Sequence, residues 1–540
     1  MPRYQYEPFD YTPPPETRGH AGRRWPVAIV GAGPVGLAAA IDLAQHGIDC
    51  VILDDNNVVS TGSRAICWSK RTLEIMDRLG VGERMRDKGV TWQVGRLFHG
   101  EKEVYSFDLL PEDGHKMPAF VNLQQYYVEE FLVARCQELS EHIDLRWKNK
   151  LTGLNHLEDG VRLKVDTPDG AYEISADYVI ACDGARSPTR LMLGLSFSGQ
   201  IFEERFLIAD VEMTADMPSE RWFWFEPPFH PGQSALLHKQ PDNIYRIDLQ
   251  LGWDADPNEE KKPERVLPRI EAMLGHDNFT LDWVSVYTFQ CRRLERFVHD
   301  RVIFAGDSAH LVSPFGARGG NGGIQDVDNL AWKLAAILKG DAPASLLASY
   351  DEERSHGADQ NILNSARATS FMTPKSETER VFRDAVLDLA ADMPFARKLV
   401  NSGRLSVPCA LGELSLQAGQ PAAAAGLDPG APCLDAPIND GASGWLLDHL
   451  GGGFVLLGIG TGPLPKLDGI TSIEIVRPGE QAPLGDGFFT DRTGLVAERY
   501  GQGLAYLIRP DQHIAACFDI IDIRAIAQAR RHALGRGGPA

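Results

Sequence analysis

The sequence predicts a chain of the α/β and α+β class with about three domains. Three observations carry that expectation. A short apolar run, VAIV at Val27–Val30, passes directly into GAGPVGLAAAIDLAQHG and then into a second apolar run ending at Asp54, the pattern of a βαβ unit. The middle of the chain is rich in short β-type runs. A Gly/Ala/Pro-rich stretch, Gln417–Pro432, then sets off a last segment that again mixes strand and helix patterns. The 540 residues are 43% apolar and 24% charged, which excludes disorder over most of the chain, a collagen-like repeat and a disulfide-stapled miniature fold.

Val27–Val30 reads as a buried strand because all four residues are apolar. Leu37–Gln45 is made of good helix formers, Gly47 is placed to cap it, and Ile48–Leu53 is the second strand. The mid-chain strands are Val161–Asp166, Tyr172–Ile174, Tyr178–Ala181, Phe206–Met213 and Ile244–Gly252. Arg301–Ala305 is another buried strand, followed by an amphipathic helix over Gly322–Lys339 and helical stretches over Ser345–Ser370 and Glu377–Leu389. The last segment offers strands Gly453–Leu457, Ser472–Val476 and Leu504–Arg509, and ARRHALGRGGPA reads as a frayed tail. No internal repeat is present.

Charge points away from nucleic acid. Asp+Glu number 74 against 54 Lys+Arg, a net charge of −20, and no basic stripe stands out. The eight cysteines form no CxxC pair and no His-spaced zinc pattern, so no metal is expected and the thiols read as reduced. No apolar run reaches the roughly 18 residues of a membrane span. Residues 1–24 lack the apolar core of a signal peptide and read as a Pro/Tyr-rich extended arm on the surface. The expected location is cytoplasmic.

Two motifs point to a flavin. In Gly31-x-Gly33-Pro34-x-Gly36, Gly31 permits the tight turn, Gly33 admits a pyrophosphate to the backbone and Gly36 lets helix and strand pack closely. Asp54 stands where a carboxylate accepts from both ribose hydroxyls and repels a 2′-phosphate; FAD and NAD both satisfy this much. The segment RVIFAGDSAHLVSPFGARGGNGGIQDVDNLAWK at Arg301–Lys333 separates them. Gly306 and Asp307 follow a strand, where the carboxylate suits polyol hydroxyls. Pro314 and the glycines 316, 319, 320, 322 and 323 then lead into a helix. Glycines this dense suit a backbone running close to a flat ligand, and the positive helix end suits a reduced isoalloxazine.

With these residues the chain resembles the group A FAD-dependent aromatic hydroxylases, in particular the phenol hydroxylase and 3-(3-hydroxyphenyl)propionate hydroxylase branch. That family carries GxGxxG, a mid-chain DG segment and a later GD…P…G…N segment. Here the DG segment is Ala181–Arg190, with Asp183 and Gly184, and the GD segment runs from Gly306-Asp307 to Asp326. The resemblance implies cofactor contacts from Arg64 and Gln125 (Gln124 being the rival for that role), from Asp183, and from Pro314, Gly319, Gly320 and Asn321. The family often has Gly-Gln-Gly-Met-Asn where this chain has Ala317-Arg318-Gly319-Gly320-Asn321, which brings a cation to the expected flavin edge. The implied domains are a discontinuous Rossmann-like FAD-binding domain (25–195 and 296–415), an interleaved β-sheet substrate domain (196–295), a linker (416–429) and a thioredoxin-like C-terminal domain (430–540). Gly430-Ala431-Pro432 and Leu507–Asp511 support the last. It lacks CxxC, so it reads as stabilising the fold or a subunit interface, and a homodimer is a candidate assembly.

The implied reaction is monooxygenation. NADH or NADPH reduces FAD, O₂ gives a flavin C4a-hydroperoxide, and this hydroxylates a phenolic or related aromatic compound. A phenolate reacts faster than a phenol, so a base or relay is expected near the ring hydroxyl; His238, Tyr245 and His310 are candidates. His310 reads better as a structural histidine of the GD loop. Arg221–Phe225 (RWFWF) would wall a ring pocket, Arg246 would bind a carboxylate, and Pro314 borders the reacting region. The alternatives are Baeyer–Villiger oxidation of a ketone or polyketide, a flavin halogenase suggested by Trp222-x-Trp224-x-x-Pro227, and a non-catalytic FAD-binding protein. Glu226 disfavours the halogenase, because a carboxylate hinders a hypohalous-acid tunnel.

Overall fold

The computed structural model describes residues 4–537 except 21, 63, 216, 253, 315, 401–404, 419–425, 440, 442–443, 478 and 481–486. Part of the expected linker, 419–425, therefore lies outside the described residues.

The first sheet is built on the apolar strand Arg24–Val30. It pairs in parallel with Cys50–Leu53 on one side and Gly170–Ala181 on the other. Ile143–Arg146 and Val302–Phe304 extend the parallel set outward. Val27–Val30 is buried throughout, as expected of a strand covered on both faces. Gly170–Ala181 is one strand where the sequence suggested two. Its first half pairs antiparallel with Val161–Thr167 and its second half with Arg24–Val30, so the less apolar middle is held by neighbours on both edges. The helix Pro34–Gln45 follows the glycine turn directly.

The second sheet runs in the order His310–Leu311, Thr280–Arg293, Ser198–Glu212, Ile244–Leu251, Ser234–Lys239, Arg221–Phe225, Val94–His99, Lys102–Asp108. The hairpin 94–108 comes from the segment expected in the FAD-binding domain and joins this sheet by pairing Val94–His99 in parallel with Arg221–Phe225. Side chains alternate between two faces. One face packs on the helix Pro263–Leu274 through Tyr245, Ile247 and Leu249. The other packs through Phe206, Phe223, Phe225 and Leu236 on the helices Leu347–Met372 and Glu377–Asp392.

The helix of the GD segment spans Gly319–Leu338, starting three residues before the expected Gly322. Tertiary packing overrides glycine's poor helix propensity here: a Cβ on Gly323 would meet Val35 Cγ2 at 2.6 Å. Leu347–Met372 and Glu377–Asp392 follow, the latter opened by a capping box of Ser376 and Glu379.

The C-terminal sheet has the order Ile438–Asn439, Phe488–Asp491, Ile470–Val476, Phe454–Ile459, Ala505–Ile508, Ile514–Phe518. The expected frayed tail is corrected in part. Ile523–Ala533 is a helix whose Ile526, Ala529 and Ala533 are buried against this sheet. A buried ion network joins the C-terminal segment to the rest of the chain. Arg509 meets Glu353 at 2.6 Å, Glu353 meets Lys333 at 2.6 Å, and Arg71 bonds both Asp328 and the Asp511 carbonyl. The N-terminal arm lies across the first sheet's edge, with Phe9 stacked on Trp147 and Tyr4 packed on Tyr126.

Candidate flavin and substrate site

The glycine turn is shaped by contacts no other residue permits. Gly31 has φ +102°, and a Cβ there would stand 2.6 Å from the Cys182 carbonyl oxygen. A Cβ on Gly36 would stand 1.9 Å from the Gly31 carbonyl oxygen. Gly33 differs: a Cβ there would have no neighbour within 4 Å, so the turn leaves open space at the head of the helix. Pro34 is the first helical residue. Asp54 binds the turn, accepting from Ala32 N at 2.6 Å and Asn56 N at 2.8 Å, and burial pushes its carboxyl up.

Of the other expected cofactor residues, Asp183 and the GD segment lie against this turn. Gly306 N donates to Asp326 at 2.9 Å, and a Cβ on Gly306 would lie 3.0 Å from Val35, so the GD segment sits against the first helix. Asp307 is accessible from the cleft yet surrounded by protein. That desolvation raises its carboxyl, opposed by His310 and Arg64. Arg64 is exposed and its charge acts on both Asp307 and Glu129. Asp183 accepts from Thr189 N at 2.9 Å through one oxygen, while the other is buried without a partner. Gly319 and Gly320 open the long helix, Gly320 lying against the Trp68 ring. Pro314 is exposed in the loop before it. Asn321 is buried and spends its amide on protein: Ser69 N donates to it at 2.9 Å and it donates to the Cys67 carbonyl at 2.9 Å.

The two glutamines divide. Gln125 is satisfied, accepting from Ala65 N and donating to Glu129. Gln124 is buried with neither amide atom bonded, a costly state that marks where a partner is missing. His310 bonds Asp326 at 2.6 Å, and Asp326 also takes Arg354 at 2.7 Å. That cluster makes His310 a fastener of the GD loop.

The inner face of the second sheet supplies the substrate side. Register places Asp210, Arg246, His238 and Arg221 in one row across four strands. The row lies along the loop 62–67: a Cβ on Gly62 would touch the Trp283 indole, Arg246 donates to the Arg64 carbonyl at 2.9 Å, and Cys67 Sγ lies 3.9 Å from His238 Nδ1. Asp248 is one step further along the same face. Arg246 is neutralised by Asp210 at 3.0 Å. Burial between Arg221 and Arg246 drives His238 well below its ordinary value, so its ring is neutral. Burial raises Asp248 to about 6, and its Oδ1 has no partner. Tyr245 is not brought to this face. It points to the outer core, where its hydroxyl donates to the Ala215 carbonyl at 3.2 Å. Of RWFWF, Arg221, Phe223 and Phe225 face inward, while Trp222 and Trp224 lie on the outer face with Phe229. Sequence reasoning gave Arg221 and Asp248 no individual role; only the cross-strand register groups them.

A separate cavity of about 460 Å³ lies between Lys70–Lys88 and the C-terminal segment. Its lysine, Lys116, is already paired with Asp77 at 2.7 Å and Asp448 at 3.0 Å.

The open space at Gly33, the orphaned oxygen of Asp183, the unsatisfied Gln124 and the helix end at Gly319 fit a dinucleotide with a flat ring. Comparison with known proteins agrees. The FAD binding domain family matches over residues 24–365, and the chain belongs to that family. It is 31% identical over 352 residues to a flavin-dependent monooxygenase of Mycobacteroides abscessus, covering 61% of this chain and 70% of that one. It is 27% identical over 547 residues to 3-(3-hydroxy-phenyl)propionate/3-hydroxycinnamic acid hydroxylase 2 of Burkholderia vietnamiensis, covering 94% and 96%. The fold matches the flavin-dependent monooxygenase PieE, solved with FAD and substrate, at a TM-score of 0.79 and 22% identity over 96% of this chain and all of that one. The protein is a flavoprotein monooxygenase whose cofactor is FAD. Among the described residues no helix is long and apolar enough to cross a membrane.

Proposed function

We propose that this protein uses NAD(P)H and O₂ to hydroxylate a phenolic or related aromatic compound between the FAD-binding turn and the inner face of the second sheet. One observation supports this above the rest. The loop 62–67 is shared: it carries Arg64 toward the cofactor side and touches the Arg246–His238 row on the other. Cofactor and ring substrate therefore have a common wall.

When bound, the flavin activates oxygen and delivers one oxygen atom to the ring. Gly31, Gly33, Asp54, Asp183 and Asp307 hold it, and the first turn at Gly319 turns positive potential toward its ring end. Phe223 and Leu236, paired one step along the sheet from Arg221 and His238, belong to a buried apolar cluster that keeps water from that end of the row. Asp248, ionised at neutral pH yet basic for a carboxylate, takes the ring hydroxyl's proton; neutral His238 accepts a hydrogen bond beside it. Hydroxyphenylpropionate hydroxylation by the Burkholderia relative supports a phenolic substrate here.

A cytoplasmic location and a homodimer complete the reading. Free cysteines support the first. Exposed Val381, Phe382, Phe395 and Leu399 support the second. The test is NAD(P)H consumption by the FAD-loaded protein against phenols, phenolic acids and dihydroxybenzenes, with mass analysis. Accelerated oxidation with a ring product one oxygen heavier is the expected result. Background rates throughout, or oxygen inserted into a C–C bond, would overturn it.

A further inference from the structure

Residues 54–66 connect strand Cys50–Leu53 to strand Cys67–Ser69 with no helix or strand among the described residues. A backbone N–H in such a segment finds its partner in a side chain or in water. Ser60 N donates to Glu129 at 2.5 Å and Ala65 N to Gln125 Oε1 at 3.2 Å, both acceptors standing on the helix Gln125–Glu138. Gly62 N, between them, is held from elsewhere. It donates to the hydroxyl of Tyr6 at 2.9 Å.

Tyr6 belongs to the N-terminal arm, outside residues 24–365 that match the FAD binding domain family. The arm's side chains alternate here, Tyr4 and Tyr6 half-buried, Gln5 and Glu7 exposed. The Tyr6 ring is set edge-on to Tyr4 at 4.9 Å and to Tyr126 at 5.9 Å, and Tyr4 donates to Glu130 at 3.2 Å. Further along, the arm bonds the same connection again. Phe9 N donates to the Asn57 carbonyl at 2.7 Å, and Asn57 Nδ2 donates to the Phe9 carbonyl at 2.8 Å. The arm therefore grips the connection at Asn57 and at Gly62. A cover for apolar surface needs only the rings; Tyr6 also directs its polar atom at an amide two residues from Arg64. On the opposite side the Arg64 carbonyl accepts from Arg246 at 2.9 Å, and a Cβ on Gly62 would meet the Trp283 indole. Residues 62 and 64 are thus held between the arm and the second sheet.

We propose that the arm is a strap for this loop and that Tyr6, through its bond to Gly62, is a positioning residue for the FAD site, fixing the backbone from which Arg64 reaches the cofactor side. The inference rests on loop 62–67 being the wall shared by cofactor and substrate, and it is independent of which ring is hydroxylated. A phenylalanine at position 6 keeps the ring contacts and removes only the acceptor.

The experiment uses the full chain at saturating FAD for backbone hydrogen exchange, read by mass spectrometry in peptides covering 60–66, and the apo form for FAD fluorescence titration and urea unfolding. Tyr6→Phe should speed exchange at 60–66 about tenfold and weaken FAD about threefold or more, with exchange in Arg24–Val30 and the urea midpoint at wild-type values. Tyr6→Leu, which also removes the ring, should move both readouts further. Tyr11→Phe removes the same atom from the same arm, but that hydroxyl bonds Asp169 at 3.1 Å and not the loop, so both readouts should stay at wild type. Unchanged exchange at 60–66 in Tyr6→Phe overturns the strap. Faster exchange with wild-type FAD affinity overturns the positioning role, and equal effects from Tyr11→Phe reduce the arm to a general cover. None of these measurements uses an aromatic substrate or NAD(P)H, so a failed hydroxylation assay counts against the hydroxylase alone, and a failed exchange comparison against the strap alone.

Discussion

Gly33 and Gly36 stand three residues apart in one turn, and the structure predicts opposite reasons for their being glycine. In Gly36→Ala the new methyl would lie 1.9 Å from the Gly31 carbonyl oxygen and 3.3 Å from Cys182 Cβ. That carbonyl belongs to the turn between strand Arg24–Val30 and the helix, a turn pinned by the bond from Gly31 N to the Leu53 carbonyl, so strand and helix must separate. Overpacking of this kind costs about 1–3 kcal/mol, and a backbone clash this short belongs at the top of that range or above it. In Gly33→Ala the methyl meets nothing within 4 Å, and the backbone, φ −76° and ψ 179°, suits any residue. The small gain from a stiffer unfolded chain offsets the small loss at a helix cap, so stability should change by less than about 0.5 kcal/mol. That methyl instead fills the space a pyrophosphate would occupy, and FAD affinity should fall at least tenfold. The assay is urea unfolding of apo-protein beside FAD fluorescence titration of the same samples. Gly36→Ala should lose stability first and FAD with it; Gly33→Ala should lose FAD alone. An alanine at 33 that binds FAD like wild type, or that unfolds as early as Gly36→Ala, would refute the placement of the phosphates.

Further outcomes follow from the buried charges. Asp248 is raised to about 6, so between the ordinary carboxylate value of about 4 and that point the folded apo-protein holds more protons than the unfolded chain. Its contribution therefore falls as pH rises through the window. Asp248→Asn should be more stable than wild type above pH about 6, by up to about 2 kcal/mol, with the gap closing near pH about 4; an unchanged gap across a pH series of melts contradicts this. Glu353, held well below the usual range by Arg509 and Lys333, has the opposite sign: its support is full above the ordinary glutamate value and fades as pH drops beneath it. Glu353→Gln leaves two cations short of their partner and should cost about 3–5 kcal/mol in urea unfolding at neutral pH. Asp54→Asn should weaken FAD binding, read by the same fluorescence titration. Equal FAD affinity would remove Asp54 from the cofactor site.

The local parts of this protein were legible without a structure. Strand Val27–Val30, its glycine turn and the following helix lie within one short stretch, and their chemistry depends on neighbours in sequence. The same holds for Gly306-Asp307 and the helix after it, although packing of Gly323 on Val35 moved that helix's start earlier than its glycines suggest. Spacing was enough to place Asp54 at the end of the second strand of the βαβ unit.

The substrate side was not legible, because it is made by register between strands far apart in the chain. Tyr245 and Arg246 are adjacent in sequence, yet the pleat sends one to the outer core and the other to the cleft. Whether Arg246 was free or paired depended on Asp210, thirty-six residues away and directly opposite on the next strand. The sequence by itself determined the glycine turn and the FAD-binding class, since a turn and the helix behind it are short-range objects. Only the tertiary structure decided which charges balance which, since charge balance in a buried site is a sum over every element that reaches it.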